Sequence, residues 1–311
     1  MRSLHAYMIS RMRLFRTFIV SALFTAPLLA QQPVVRTADP VKRGFKDGDI
    51  PRVVKVSDNV YTYEDFHSGA EKFTTTNMFV VTSDGVFLAD AQGSVAATKG
   101  LVDAIAKITP KPITHVAICS DHGDHTAGNA ALPAGVHFLI HPTSYDILKG
   151  PAGAELVPVR KTMTLGGEEI QILFLGRAHT GGDLSVYLPR QKILFLSETF
   201  LNRVFPAMRS AYPTEWLAAV DKALAMDVKI YIPGHGFTET GPVSREELIA
   251  YRGALAAVIA EATRLHDAGV AVADAVTQAN WGEYASWTLA SSQGPIAVRK
   301  VYEELDKKRY N

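Results

Sequence analysis

The chain has 311 residues, of which 47% are hydrophobic and 20% are charged, and its formal net charge is +1 at pH 7. This length and apolar content are sufficient for one large domain with a buried core, and they argue against a disordered protein. A near-neutral chain without a basic stripe lacks the electrostatic footprint of a nucleic-acid-binding protein, so we expect no nucleic-acid partner. The single cysteine, Cys119, cannot form an intramolecular disulfide, so we expect the core alone to stabilise the fold.

The first 30 residues have the pattern of a secretory signal peptide. Four arginines, with no acidic residue among them, precede a short apolar segment from Phe18 to Ala30. A basic segment, a short apolar core and a small residue at its end are typical of exported proteins. The apolar segment is too short and too interrupted to span a membrane. We therefore expect a periplasmic or secreted protein without stable membrane insertion.

Residues 31–50 are rich in Pro, Gly, Asp and Lys, a composition that predicts a loose leader ahead of a domain spanning residues 51–311. Alternating side chains in residues 53–56 and 60–63 predict two paired edge strands. The polar stretch that follows predicts a hairpin tip, with His67 as a surface residue.

Helical periodicity accounts for much of the remaining chain. Apolar residues at helical spacing predict a helix over residues 94–108, and shorter helices are predicted over residues 142–148 and 213–226. A capping box that begins at Ser244 predicts the start of a long helix. Residues 243–311 are therefore expected to form a helical tail that packs on the rest of the domain.

The most informative segment follows the apolar run of residues 115–119, which predicts a buried strand. Directly after this run come His122, Asp124 and His125. Two imidazoles and a carboxylate at this spacing suit a borderline divalent ion such as zinc. Such a cluster is incomplete by itself, so further ligands must come from elsewhere in the chain.

Three other predicted strands also end in a residue of a metal-ligating type. These residues are His179, Glu198 and His235, which follow the apolar runs 170–175, 192–196 and 229–232. Residues at the same end of several strands can converge on one edge of a sheet, where loops carry chemistry on a rigid scaffold. We therefore expect one site built from all of these residues.

The order of these motifs resembles the metallo-β-lactamase superfamily, from about Val53 to the C-terminus. The matching motifs are Ser120-x-His122-x-Asp124-His125, Gly176-x-x-His179, Ser197-Glu198 and Gly234-His235. The resemblance implies a four-layer αββα sandwich, here with a helical C-terminal extension. It also implies one or two zinc ions at the sheet edge, held by the ligand residues of these motifs. Since the hairpin loop of the family can fold over the metal site, Phe66 is either a lid residue or an ordinary exposed aromatic.

Two positions depart from the family motif. Ser120 stands in place of the first histidine, and Glu198 stands in place of an aspartate. In the family, the missing histidine belongs to the site shared with the positions of His122 and His179, so we expect that site to bind its ion more weakly. The second site keeps its complete set of ligands, which are Asp124, His125 and His235. Glu198 can offer an oxygen to one or both ions.

The expected reaction is hydrolysis of a small carbonyl compound. Bound zinc lowers the pKa of its water from about 15.7 to about 7, and the metal-bound hydroxide can attack a lactam, lactone, ester or thioester. β-Lactams are therefore one of several candidate substrates. Asp124 is the expected catalytic residue, because its second oxygen can orient the nucleophile or carry a proton. Arg203 is a candidate for binding a substrate carboxylate, with a solvated loop arginine as the alternative.

Two other functions also fit the sequence. Ser120 is consistent with a catalytically degenerate metal-binding protein, and an acid-rich site is consistent with an iron-dependent oxidoreductase of the same fold. Asp90 and Asp183 are expected either to orient metal-bound imidazoles or to cap turns.

Overall fold

Two β-sheets pack face to face with helices on their outer faces, which confirms the predicted four-layer αββα sandwich with a helical C-terminal region. The computed structural model describes residues 35–46, 48–67 and 72–310, and the side chains of residues 308–310 are not considered. The predicted signal peptide, residues 1–30, lies outside the described residues. Within the described part of the chain, no helix combines the length and apolar character that crossing a membrane requires.

The first sheet contains seven strands, which lie side by side in chain order. The strands are β1 Arg52–Lys55, β2 Val60–Phe66, β3 Thr74–Val81, β4 Val86–Ala89, β5 Ile113–Ile118, β6 His137–Ile140 and β7 Glu155–Leu156. Neighbours from β1 to β4 are antiparallel, and neighbours from β4 to β7 are parallel. Val53 lies opposite Tyr63, so the predicted pairing of the first two strands is confirmed.

The second sheet contains five strands in the spatial order β12-β11-β10-β9-β8. The strands are β8 Arg160–Leu165, β9 Glu168–Phe174, β10 Leu184–Leu188, β11 Ile193–Phe195 and β12 Ile230–Ile232. β11 and β12 are parallel, and the other neighbours are antiparallel. Because β11 and β12 run in the same direction, the residues that follow them emerge at the same edge.

Seven α-helices and three short 3-10 helices complete the described part of the chain. The α-helices are α1 Val95–Ile108, α2 Gly123–Thr126, α3 Pro142–Leu148, α4 Pro213–Ala225, α5 Pro242–Asp267, α6 Val272–Gln278 and α7 Ala290–Tyr310. The helix predicted over residues 94–108 is confirmed, and the Ser94 hydroxyl accepts a hydrogen bond from the backbone N–H of Ala97 at 3.1 Å. The helices predicted over residues 142–148 and 213–226 are also confirmed.

The capping box predicted at Ser244 is wrong. Helix α5 begins at Pro242, and Gly241 is its N-cap residue. Proline fits the first turn of a helix because that turn has no partner for its N–H groups. The Ser244 hydroxyl therefore lies inside the first turn, where it donates to the Gly241 carbonyl at 2.9 Å and accepts from the Tyr231 N–H at 3.2 Å.

Alternation along the strands builds different cores on the two faces of each sheet. In β3, Met78 packs between the sheets, whereas Phe79 packs under α1. In β11, Phe195 packs between the sheets, whereas Leu194 faces α4 and α5. The tail belongs to this outer layer, since Ala297 of α7 is buried in the same cluster.

The described part of the predicted leader packs on the domain, which differs from the loose segment that its composition predicts. The Arg43 guanidinium donates to Glu239 Oε1 at 2.5 Å and lies 4.7 Å above the centre of the Phe237 ring. Phe45 packs against the same ring at 4.8 Å. These partners follow β12, so the segment is held by residues far away in the sequence.

Gly234 lies where the ends of β11 and β12 approach each other most closely. Its N–H donates to the Ser197 carbonyl at 2.8 Å, and a Cβ at this position would lie 2.4 Å from Ser197 C and 2.8 Å from Glu198 N. Backbone atoms cannot move aside as a side chain can. Gly234→Ala should therefore lower the free energy of unfolding by about 1–3 kcal/mol, as measured by urea denaturation.

Gly123→Ala is the matched control, because a Cβ on Gly123 meets nothing within 4 Å. Equal stability of the two variants would contradict the close approach at Gly234.

Candidate metal centre

The predicted ligands converge at one edge of the sandwich. His122, Asp124 and His125 follow β5 and lie at the start of α2, and the other three follow β9, β11 and β12. They form two groups that could each hold a metal ion, and the potential ligand atoms of each group lie within 4.8 Å of one another. The first group consists of Asp124, His125, Glu198 and His235, and the second consists of His122, His179 and Glu198.

The carboxylate of Glu198 faces both groups. Its Oε2 lies 3.0 Å from Nδ1 of His122 and 3.0 Å from Nδ1 of His179. Its Oε1 lies 3.3 Å from Nε2 of His235 and 4.0 Å from Nε2 of His125. One buried carboxylate thus presents a separate oxygen to each group, which is the arrangement of a ligand that can bridge two ions.

Asp124 completes the first group. Its Oδ2 lies 3.1 Å from Nε2 of His235 and 3.5 Å from Nε2 of His125. Two carboxylates and two imidazoles therefore surround one small space, with donor types that suit a borderline divalent cation.

Two atoms of the cluster indicate that a cation fits there. Asp124 Oδ2 and His179 Nδ1 are buried, yet within the described part of the chain neither has a hydrogen bond of good geometry, although polar atoms lie 3.1 and 3.0 Å away. Buried polar atoms in folded proteins almost always have a hydrogen-bond partner. A metal ion would satisfy both atoms, because both belong to groups with metal-ligating geometry.

The electrostatics of the cluster lead to the same conclusion. Burial disfavours the charged form of each imidazole, but the neighbouring Glu198 carboxylate raises the pKa of His122 to about 9. Burial likewise opposes the charged form of His235, yet the carboxylates of Asp124 and Glu198 raise its pKa to about 10. Burial alone would raise the pKa of Glu198, whereas His179 and His122 hold it well below its usual range. The carboxylates thus require positive charge, which protons or a metal ion can supply.

Ser120 contacts the carboxylate and does not extend toward the histidines. Its buried hydroxyl donates a short hydrogen bond to Glu198 Oε2 and accepts one from the backbone N–H of His122 at 3.2 Å. The contacted oxygen is the one that faces His122 and His179. The serine at the position of the missing histidine therefore hydrogen-bonds to Glu198, a candidate ligand, and does not act as a ligand itself.

Contacts to the Nδ1 atoms of His125 and His235 fix the orientation of the two imidazoles of the first group. Asp90 Oδ2 lies 3.1 Å from Nδ1 of His125, and the Thr74 carbonyl lies 3.0 Å from Nδ1 of His235. Such contacts leave the other ring nitrogen free to face a metal. Asp183 instead accepts from the N–H and the hydroxyl of Thr180, each at 2.7 Å, so it caps a turn.

His67 is a site residue that the sequence analysis missed. Its Nε2 lies 3.5 Å from Asp124 Oδ2, and its ring stacks on Phe73 at 4.4 Å. The prediction of a surface residue is wrong, because the hairpin folds this ring against the metal-ligating cluster. A signal was present, since His67 directly follows β2 and the other candidate ligands also follow strands. Phe66, the candidate lid residue, is 42% exposed and does not line the cavity described next.

A cavity of about 390 Å³ opens over the cluster and is lined by His67, Asp124 and Glu198. The loop between Glu198 and α4 also lines it, from Leu201 to Arg209. Arg203 does not line it. Arg203 donates to Glu247 Oε1 at 3.0 Å and lies 5.2 Å from the centre of the Trp287 ring. The structure therefore gives Arg203 a packing role in place of the predicted substrate contact.

Residues 72–235 match the family model of the metallo-beta-lactamase superfamily. The metallo-beta-lactamase IND-1 of Chryseobacterium indologenes is 26% identical over 191 residues, which cover 58% of this chain and 80% of that protein. The alpha subunit of 2,4-dinitroanisole O-demethylase from a Nocardioides species is 23% identical over 134 residues, which cover 40% of this chain. The match spans only 41% of that subunit.

Solved structures show the same fold. A metallo-beta-lactamase from Pontibacter korlensis has a TM-score of 0.59 and 21% identity, covering 66% of this chain and 98% of its own. The sec-alkylsulfatase Pisa1 from a Pseudomonas species has a TM-score of 0.65 and 16% identity, covering 81% of this chain and 50% of its own. Since the family match covers more than half of the sequence, and the fold and the cluster of candidate ligands agree with it, this chain belongs to the metallo-beta-lactamase superfamily.

Proposed function

We propose that this chain is an exported zinc-dependent hydrolase that cleaves a lactam, lactone, ester or thioester bond of a small molecule. The observation that carries the proposal is the Glu198 carboxylate, which has one oxygen toward each of two histidine groups. Export is supported by the signal-peptide pattern of residues 1–30. Zinc supplies hydroxide near neutral pH and polarises a carbonyl oxygen when it is bound.

The ligand sets of the two proposed ions differ in strength. Asp124, His125 and His235 would hold the first ion together with one oxygen of Glu198. His122 and His179 would hold the second with the other oxygen. The second set has one protein ligand fewer, since Ser120 contributes a hydroxyl to Glu198 and no imidazole. We therefore assign tighter binding to the first ion.

Asp124 is the proposed catalytic residue. Its carboxylate lines the cavity, and its Oδ2 lies among His67, His125 and His235. A carboxylate in this position can orient the attacking water and transfer its proton to the leaving group. Leu201 and Val204 line the same cavity, and apolar walls strengthen electrostatic interactions by excluding water.

Two readings compete with hydrolysis. The Ser120 hydroxyl in place of a ligand favours a metal-binding protein without turnover. A site with two carboxylates is also consistent with iron, and so with an oxidoreductase, because hard oxygen ligands suit iron as well as zinc. The experiments below separate these readings by measuring metal identity and turnover together.

The first prediction concerns metal retention. His125→Ala and His235→Ala should each lose about one equivalent of zinc, because each removes a ligand from the more complete set. Metal content after dialysis, measured by inductively coupled plasma mass spectrometry, tests this. His137→Ala is the control, since His137 pairs with Glu155 at 3.1 Å, outside the cluster. Full zinc retention in both ligand variants would contradict the assignment.

Substitutions at Ser120 test whether this residue positions the Glu198 carboxylate for the second ion or marks a degenerate site. Ser120→Ala removes a hydrogen bond to Glu198 and should weaken the second ion about 10- to 100-fold. Ser120→His restores an imidazole and should strengthen it. Competition with a coloured chelator measures both affinities. If neither substitution changes the affinity of the second ion, Ser120 has no role in metal binding.

The third prediction concerns turnover. The zinc-loaded protein should hydrolyse at least one member of a panel containing nitrocefin, γ- and δ-lactones, and an acyl thioester. Asp124→Asn should reduce kcat by about a hundredfold or more, because the amide cannot accept a proton. Zinc bound without turnover of any compound would favour the binding protein. Iron at one equivalent or more in the purified protein, with zinc absent, would favour the oxidoreductase.

A further inference from the structure

Ser197 has a strained backbone directly before the candidate ligand Glu198. It begins a short 3-10 helix, Ser197–Thr199, that follows β11. Its φ is 45°, in the left-handed region, and the residue is fully buried. Side chains with a Cβ are disfavoured in this region, where glycine is the usual residue. A serine held in this conformation indicates that its side chain makes a contact that compensates for the strain.

The contact of the Ser197 side chain is with Asp90. The hydroxyl donates to Asp90 Oδ2 at 2.6 Å, and the backbone N–H of Cys119 donates to Oδ1 at 2.6 Å. Asp90 is fully buried, and no lysine or arginine is among the partners of its carboxylate in the described part of the chain. A buried carboxylate without a cationic side chain depends on hydrogen-bond donors. These two donors, one at each oxygen, fix the plane of the Asp90 carboxylate.

The plane of this carboxylate sets the direction of the His125 ring. Asp90 Oδ2 lies 3.1 Å from Nδ1 of His125. Nε2 on the other side of the ring faces Asp124 at 3.5 Å and Glu198 at 4.0 Å. Without the Ser197 hydroxyl, the carboxylate would keep a donor at one oxygen only and could turn. The His125 ring would then lose its fixed direction toward the first group.

The backbone of Ser197 holds two further members of the first group. Glu198 is the next residue in the chain. The Ser197 carbonyl accepts from the N–H of Gly234 at 2.8 Å, directly before His235. Three of the four candidate ligands of the first group therefore depend on the conformation of one residue. A glycine could adopt the same φ without strain, but it has no hydroxyl to donate to Asp90.

We infer that Ser197 is a positioning residue for the first metal ion, and that its strained backbone is retained because its hydroxyl orients His125 through Asp90. The presence of the ion rests on the proposed function, whereas hydrolysis of a substrate is not required. Stability and metal affinity are therefore opposed at this position, since glycine favours the fold and serine favours the ion.

Two variants of the full chain separate the contact from the strain. Ser197→Ala and Ser197→Gly both lack the hydroxyl, but only glycine relieves the strain. In both variants the affinity for the first equivalent of zinc should fall about 10- to 100-fold, as measured by competition with a coloured chelator. The urea midpoint of the metal-free protein should nevertheless be higher in Ser197→Gly than in Ser197→Ala. If Ser197→Gly keeps the unmodified affinity while Ser197→Ala loses it, affinity follows strain, and the inference is wrong.

A double-mutant cycle tests the path through Asp90. In Asp90→Asn, the remaining acceptor oxygen stays with the Cys119 N–H, and the amide nitrogen beside Ser197 cannot accept a hydrogen bond. Adding Ser197→Ala to this variant should lower zinc affinity by less than about twofold, because the path is already broken. Cobalt gives an independent reading. The visible absorption of Co²⁺ bound in place of the first zinc should change alike in Ser197→Ala and Ser197→Gly, since both release the His125 ring.

Lys149→Gly is the matched control. Lys149 also has a left-handed backbone, with a φ of 53°, and it is exposed at the end of α3. This substitution should raise the urea midpoint and leave zinc affinity and the cobalt spectrum unchanged.

The outcomes distinguish this inference from the proposed function. Unchanged zinc affinity in both Ser197 variants would overturn the inference and leave the zinc-dependent hydrolase standing. A full loss of affinity on adding Ser197→Ala to Asp90→Asn would also overturn it. Zinc binding that depends on Ser197, without turnover of any substrate, would overturn the hydrolase and support the positioning role. An unmodified protein that binds no zinc would overturn both.

Discussion

Neutralisation of the buried Glu198 carboxylate is the constraint on which the site depends. A carboxylate removed from water is costly unless charged or hydrogen-bonding partners surround it. Its partners are His122 and His179 on one oxygen, each at 3.0 Å, and His235 on the other at 3.3 Å. Because these histidines follow different strands, neutralising one carboxylate joins several parts of the fold. Protons can supply the charge, and a metal ion bound at either oxygen would supply it too, so metal binding would be coupled to folding.

The site forms where the two sheets are joined by hydrogen bonds. The Thr76 N–H of the first sheet donates to the Gly234 carbonyl after β12 at 2.7 Å, and the Leu184 N–H of the second sheet donates to the Cys119 carbonyl at 2.8 Å. These bonds lie beside His235 and Ser120. The candidate ligands therefore lie on backbone that is fixed from both sheets, which would give the precision that a metal site requires.

Local sequence patterns predicted which candidate ligands the fold brings together, where each one follows a strand within a few residues. His125, His179 and His235 were found in this way, because an apolar run marks a buried strand and its end marks the edge of the sheet. The same patterns could not show that Arg203 has partners within the fold. Arg203 is held by Glu247, 44 residues further along the chain, and by Trp287 of the tail. The described part of the predicted loose leader packs on the domain for the same reason, since Arg43 pairs with Glu239 across 196 residues. Local sequence composition cannot reveal contacts between residues that lie so far apart in the chain.

The two departures from the family motif are physically linked. A serine is smaller than the histidine it replaces, and a glutamate is longer than the aspartate it replaces. The two side chains meet at Glu198 Oε2, where the Ser120 hydroxyl donates its hydrogen bond. The Ser120 hydroxyl thus binds one oxygen of the longer acid, whose second oxygen faces His235. Ser120 and Glu198 together are therefore a linked change to the candidate ligand set, which differs from the loss of a histidine alone.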